Sequence, residues 1–214
     1  MDWLRRLLGP RRDPIPAQRQ DGGSRFVVVD CETTGLDPGS DALIAIGAVA
    51  VVGGRVVASD SFEQVLRPAR TSGRDNILIH RIGEAAQRGG VEPREACAAF
   101  LDYAGGATLV AFHADFDRAF LARTARESLG RRLDARWIDL AGLAPVLNPG
   151  VRAHALDEWL AHFSIDVAQR HHASADAFAT AMLLLRLLAQ VRPAEREPKA
   201  LTALARAGRW TAGH

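Results

Sequence analysis

The sequence predicts an α/β fold, one mixed sheet flanked by helices, from the order in which three patterns appear along its 214 residues. Apolar, β-branched runs come first, a Gly-Gly pair joins two of them as a hairpin, and strand–helix units follow. At 48% hydrophobic content the chain supports one well-buried core and is too short for two comfortable domains.

The elements follow in order. Residues 25–30 (RFVVVD) read as a central strand buried on both faces. Residues 42–52 form a second apolar run, and Gly53-Gly54 turns the chain into a third strand, 55–66, with alternating pattern. A helix over 92–103 begins at Pro93. Residues 108–112 (TLVAF) make a fourth strand leading into a helix from 116 to 129, and 136–140 (RWIDL) a short fifth. Helices follow over 140–147, 154–163 and 174–190. The pattern divides the chain into a flexible basic N-terminal arm (1–24), a folded domain (25–190) and a tail (191–214). The tail's weak helix, 200–207, has no obvious core to join.

The net charge of +2 hides an arginine-rich distribution in which Lys199 is the only lysine. A polyanionic partner is compatible with this and not required by it. Cys31 and Cys97 have neither disulfide-framework nor zinc-site spacing, which fits a reducing cytoplasm. No apolar run reaches the length of a membrane span, and the opening residues are too short in their apolar part for a signal peptide.

Four carboxylates and a histidine, split over three segments, carry the chemistry. Asp30 and Glu32 are two apart on a strand, so both leave the same face about 7 Å apart, at the carboxyl end where open sheets place ligands. Such a pair repels unless a cation lies between, and all-oxygen ligation favours Mg²⁺ or Mn²⁺. In the adjoining TTGLDP, Gly35 permits a tight turn, and Thr33 and Thr34 offer hydroxyls and amides to phosphate or sugar oxygens. Asp117 enters a helix after strand four. Phe116 and Phe120 face the core there and turn Asp117 toward the strand ends, while Asp115 falls before the helix and in solvent. His171 and Asp176 cannot converge on one helix, because five residues put them about 140° apart. They converge if His171 sits in a loop and Ser174 caps a helix whose first turn holds Asp176. Asp176, Thr180, Leu183 and Leu187 then share a face. This set is what a two-metal phosphodiesterase needs: anionic oxygens for two ions and an imidazole to take a proton near neutral pH. His80, His113, His154 and His162 are scattered without metal-ligand spacing. Trp137 reads as core, Asp139 as a hydrogen-bonding carboxylate and Cys31 as a buried structural thiol.

Together VVVDCETTGLDP, LVAFHADFDRAFL and HHASADAFAT resemble the three motifs of the DEDDh 3′–5′ exonucleases, the DnaQ-like family, over roughly residues 25–190. ILIHRIG around His80 resembles a further family segment, Ile-His-x-Ile-Thr. The resemblance implies an RNase H-like fold with a five-stranded mixed sheet. It implies that Asp30, Glu32 and Asp176 hold the catalytic ion, that Asp30 bridges to a second ion bound by Asp117, and that His171 is the general base. Thr33, Thr34, Gly35 and Leu36 would bound the terminal nucleotide's pocket, with His80, His113 and Phe116 as further substrate contacts. The partner it implies is single-stranded or frayed DNA 3′ ends, with a polymerase as a possible protein partner. Phe112 and His113 depart from the family's His-Asn, and Gly83 from its Thr. Two rivals stand beside this expectation: an RNA-trimming or oligoribonucleotide-degrading enzyme, and a non-catalytic module that binds nucleic acid or a polymerase.

Overall fold

A computed structural model describes residues 24–167 and 171–211. The expected N-terminal arm, apart from Ser24, lies outside the described residues.

Five strands form one sheet: β1 (Arg25–Thr33), β2 (Leu43–Val52), β3 (Arg55–Val65), β4 (Thr108–Ala111) and β5 (Trp137–Asp139), in spatial order β3-β2-β1-β4-β5. The β1/β2 and β2/β3 pairs are antiparallel, joined at the hairpin by Gly53 and Gly54 with φ of 57° and 73°. The β1/β4 and β4/β5 pairs are parallel, as strands connected through helices must be. The strand-first, helix-later order of the sequence therefore does produce the mixed sheet.

Alternation along β1 splits the core in two. Phe26 and Val28 join a cluster under α5 (Leu140–Leu147), α6 (Leu156–His162), α7 (Ala173–Gln190) and α8 (Pro198–Thr211). Val27, Val29 and Cys31 face the other cluster, under α3 (Pro93–Ala104) and α4 (Ala114–Leu129). At the far edge Arg25 and Asp60 form a nearly buried bidentate pair, and the Tyr103 hydroxyl donates to the Asp60 carbonyl.

Four expectations are corrected. Two short helices, α1 (Arg74–His80) and α2 (Glu84–Gly89), lie where none was expected, since six or seven residues are too few for a periodicity to declare itself. Helix α4 starts at Ala114, which puts Asp115 inside the first turn, where it pairs with Arg118. Helix α7 starts at Ala173 with His172, not Ser174, at the N-cap position. The tail joins the core: Leu201 and Ala205 of α8 are buried against the sheet side, and Gly208 meets Gly142 of α5 so closely that a Cβ would sit 2.0 Å from its carbonyl oxygen. Gly142 is 66 residues from Gly208 in sequence, so local pattern could not reveal the contact.

Candidate active site

Three residues in register across the sheet set the site: Glu63 on β3, Gly47 on β2 and Asp30 on β1. Helix α7 comes down on the middle one. A Cβ on Gly47 would lie 2.1 Å from the carbonyl carbon of Ala173 and 2.2 Å from the amide nitrogen of Ser174, so only glycine lets the helix start touch the strand. This contact brings Asp176, in the first turn of α7, over Asp30. Carboxylate oxygens of Asp30, Glu32 and Asp176 all lie within 4.8 Å of one another. The strand pairing slips between Glu32 and Thr33, ending regular structure at the carboxylates. On the same row the His172 ring sits 3.2 Å from Glu63. The sequence reading missed Gly47; an isolated glycine in an otherwise apolar strand was the available signal.

His171 is in the loop before α7, as expected, with φ of 61° and an exposed ring. Its backbone amide donates to Asp176 Oδ2 at 2.9 Å, which ties the histidine to the carboxylate trio.

Asp117 does not belong to the trio. It is 4% exposed, on the α4 side of β1, and its carboxylate accepts from the Cys31 thiol and the Cys31 amide. Burial pushes its pKa up to about 7 against the lowering effect of those hydrogen bonds, with the nearby Asp139 charge adding to the rise. Cys31 is buried on the opposite strand face from Asp30, as read from sequence, and also serves as donor to Asp117. Burial, then the Asp117 and Asp30 charges, hold that thiol well above its ordinary pKa. Asp139 fixes the adjoining turn: its Oδ1 accepts from the amides of His113 (2.9 Å), Ala114 (3.3 Å) and Ala141 (3.1 Å).

The expected nucleotide contacts separate into two groups. Loop 33–42 is closed by its own polar groups and by side chains of α1 and α4. Thr33 Oγ1 donates to the Gly35 carbonyl at 2.6 Å, Thr34 Oγ1 accepts from the Ala42 amide at 2.8 Å, and Asn76 and Arg123 donate to the Thr34 and Asp41 carbonyls. Asp41 occupies the space beside Gly35, where a Cβ would lie 2.4 Å from its Oδ2. The threonine hydroxyls thus shape the loop rather than face outward, and the loop presents Leu36, 84% exposed. His113 is exposed and Phe116 half-buried near the site. His80 is corrected: it is 2% exposed, with Nε2 3.1 Å from Ser72 Oγ and Nδ1 accepting from the Ile82 amide, so the ring braces α1 and is not a surface contact.

An exonuclease family, described as RNase_T, matches residues 27–184. The chain belongs to this exonuclease family. It is 37% identical to a DNA polymerase III subunit epsilon-like protein of Rhodobacter capsulatus, over 85% of this chain and 26% of the relative. It is 32% identical to the PolC-type DNA polymerase III of Thermotoga maritima, over 80% of this chain and 12% of that one. The chain thus spans about a quarter or less of these relatives' lengths. Among solved structures it superposes on Exonuclease X, in complex with 5′ overhanging duplex DNA, with a TM-score of 0.69 and 23% identity over 84% of this chain and 99% of that one. Escherichia coli Exonuclease I with a dT13 oligonucleotide gives 0.67 and 17% identity, over 78% and 41%. The fold is that of the RNase H-like exonucleases.

In this exonuclease domain the donor set fits a hard divalent cation. Three carboxylates from two elements, β1 and α7, converge, no nitrogen or sulfur donor joins them among the described residues, and His171 contributes its backbone amide to Asp176. The left-handed conformation of His113, φ 61°, accounts for the residue at the family's asparagine position. Asn, Asp and His are the side chains that most readily occupy that region. No helix among the described residues is long and apolar enough to cross a membrane.

Proposed function

We propose that this domain is a two-metal-ion 3′–5′ exonuclease that releases nucleoside 5′-monophosphates from single-stranded or frayed DNA ends. The observation that carries the reading is the convergence of Asp30, Glu32 and Asp176 within 4.8 Å, with His171 anchored to the third by its amide. Three like charges this close repel at a cost that only a bound cation or a proton relieves.

Asp30, Glu32 and Asp176 would hold the catalytic Mg²⁺ or Mn²⁺, and Asp117 would meet a second ion beyond Asp30. Bound there, the ions would supply charge to the scissile phosphate and the leaving 3′ oxygen. The protein's own part is positional. Gly47 lets α7 seat Asp176 over Asp30, Asp139 pins the turn that carries His113, and loop 33–42 offers Leu36 to the terminal base. The exposed His171, tied by its amide to Asp176, would be the general base that takes the proton of the attacking water. The relatives' names, replicative polymerase components, favour DNA over RNA and make a polymerase partner plausible.

The test follows 5′-labelled single-stranded DNA and RNA oligonucleotides with Mg²⁺ or Mn²⁺, against EDTA. A metal-dependent ladder shortening from the 3′ end, faster on DNA, is the expected result. Faster loss of RNA would establish the ribonuclease rival, and binding without cleavage the non-catalytic one. Asp30→Ala is expected to abolish hydrolysis while keeping the fold, with the metal-free variant at least as stable as the parent.

A further inference from the structure

A second feature lies beyond the carboxylates, along the edge of the sheet. A cavity of about 700 Å³ runs beside β5, walled by the first turn of α4 on one side and by α8 on the other. Its inner end is Asp139, whose carboxylate holds the His113 turn; its outer end is Arg136, about 10 Å away at the strand's rise per residue. Trp137 lines it between the two, and Arg118, Lys199 and Arg206 edge it. Arg118 is matched by Asp115, and Asp134 is also present. Among the described residues no carboxylate pairs with Arg136, Lys199 or Arg206. The size suits one or two nucleotides, within the roughly 300–1,000 Å³ of ordinary ligand clefts. Unmatched cations along an aromatic wall are how proteins track a single strand without reading its sequence.

We propose that this groove carries the single strand 5′ of the cleavage point. The inference rests on the exonuclease reading above, which fixes where the strand's end lies. With the terminal nucleotide against loop 33–42, which joins β1 to β2, and the reacting phosphate at the carboxylates on β1, the rest of the strand leaves on the opposite side of β1. The sheet order puts β4 and β5 there. Lys199 and Arg206 lie beyond residues 27–184, the segment matched by the exonuclease family, so α8 adds a wall outside that segment.

The experiment compares the parent with the triple variant Arg136→Gln/Lys199→Gln/Arg206→Gln, and with Arg136→Gln alone should the triple variant melt early. Two readouts are used. One is binding of labelled oligo-dT by anisotropy in EDTA over a salt series. The other is hydrolysis with Mn²⁺ of the same oligonucleotide and of the p-nitrophenyl ester of thymidine 5′-monophosphate, which offers a scissile phosphodiester with no strand attached. The expected result is a fall of about tenfold or more in oligo-dT affinity and a salt slope shallower by about 2, the loss of three single-strand phosphate contacts. KM for the oligonucleotide rises accordingly, while turnover of the ester is unchanged. Equal affinity and equal salt slope in parent and variant would overturn the inference even if both cut the oligonucleotide. Conversely, a parent that cuts neither substrate yet binds oligo-dT through these cations would overturn the exonuclease reading and leave the groove as a strand-binding site.

Discussion

Asp117 is held in two minds by its surroundings: Cys31 donates to it, while burial and Asp139 favour its neutral form. A carboxyl raised from 3.8 to about 7 binds in the folded state a proton that the unfolded chain has released. Its contribution to stability is therefore fully present below about pH 4 and is lost as pH rises through about 7. Thermal melts in EDTA from acid to mildly alkaline pH are expected to show this decline in the parent and a flatter profile in Asp117→Asn; identical profiles would refute the assignment. The exposed His171, by contrast, is tied to the carboxylates by its backbone amide, so His171→Ala is expected to lower kcat by roughly a hundredfold or more with little change in oligonucleotide binding. Loss of binding with turnover preserved would make the ring a substrate contact. At this scale the sequence was highly legible for Asp30, Glu32 and Asp176, because strand period and helix period each place a carboxylate without reference to anything distant. It was less so for His80 and the loop threonines, whose hydrogen-bond partners, Ser72, Ile82 and Ala42, no pattern announces.

Among the elements, the start of α7 is the one on which the chemistry turns. Its approach to β2 leaves no room for a methyl group at Gly47, and the atoms in the way are backbone. Gly47→Ala must lift the helix, and a displacement near 1 Å at a reacting centre costs on the order of a hundredfold in rate. We expect that loss in kcat with a folded, monodisperse protein; near-parental kcat would show that the contact is slack. Apart from the isolated glycine itself, no local pattern announces a helix landing on that strand, since period and capping describe single elements and not their meetings. Capping chemistry misled in detail as well: Ser174 is the better cap by side chain, yet the helix begins one residue earlier with His172 at the cap position, where its ring lies against Glu63.

For the molecule as a whole, the mixed sheet could be read from the order of hairpin and strand–helix units, and the two-sided core from the continuous apolar run of β1. What could not be read was the tail, because the amphipathic stripe of α8 finds its complement on α5 and β5, elements far back in the chain. That helix is structural: Leu201→Ala is expected to cost about 2–5 kcal/mol of stability by urea denaturation, as for other fully buried leucines. A change under ~0.5 kcal/mol, the range of surface substitutions, would mean the helix is only loosely docked.

The glycine on which α7 rests has a consequence for the life of the chain. Asp30 and Asp176 are strangers in sequence, and neither strand nor helix alone offers more than a lone carboxylate or a weakly acidic pair. Until α7 has settled onto the middle of the sheet, the three carboxylates stay apart. The carboxylate cluster is thus a product of tertiary packing alone, and a cation bound there would report that α7 has docked on β2.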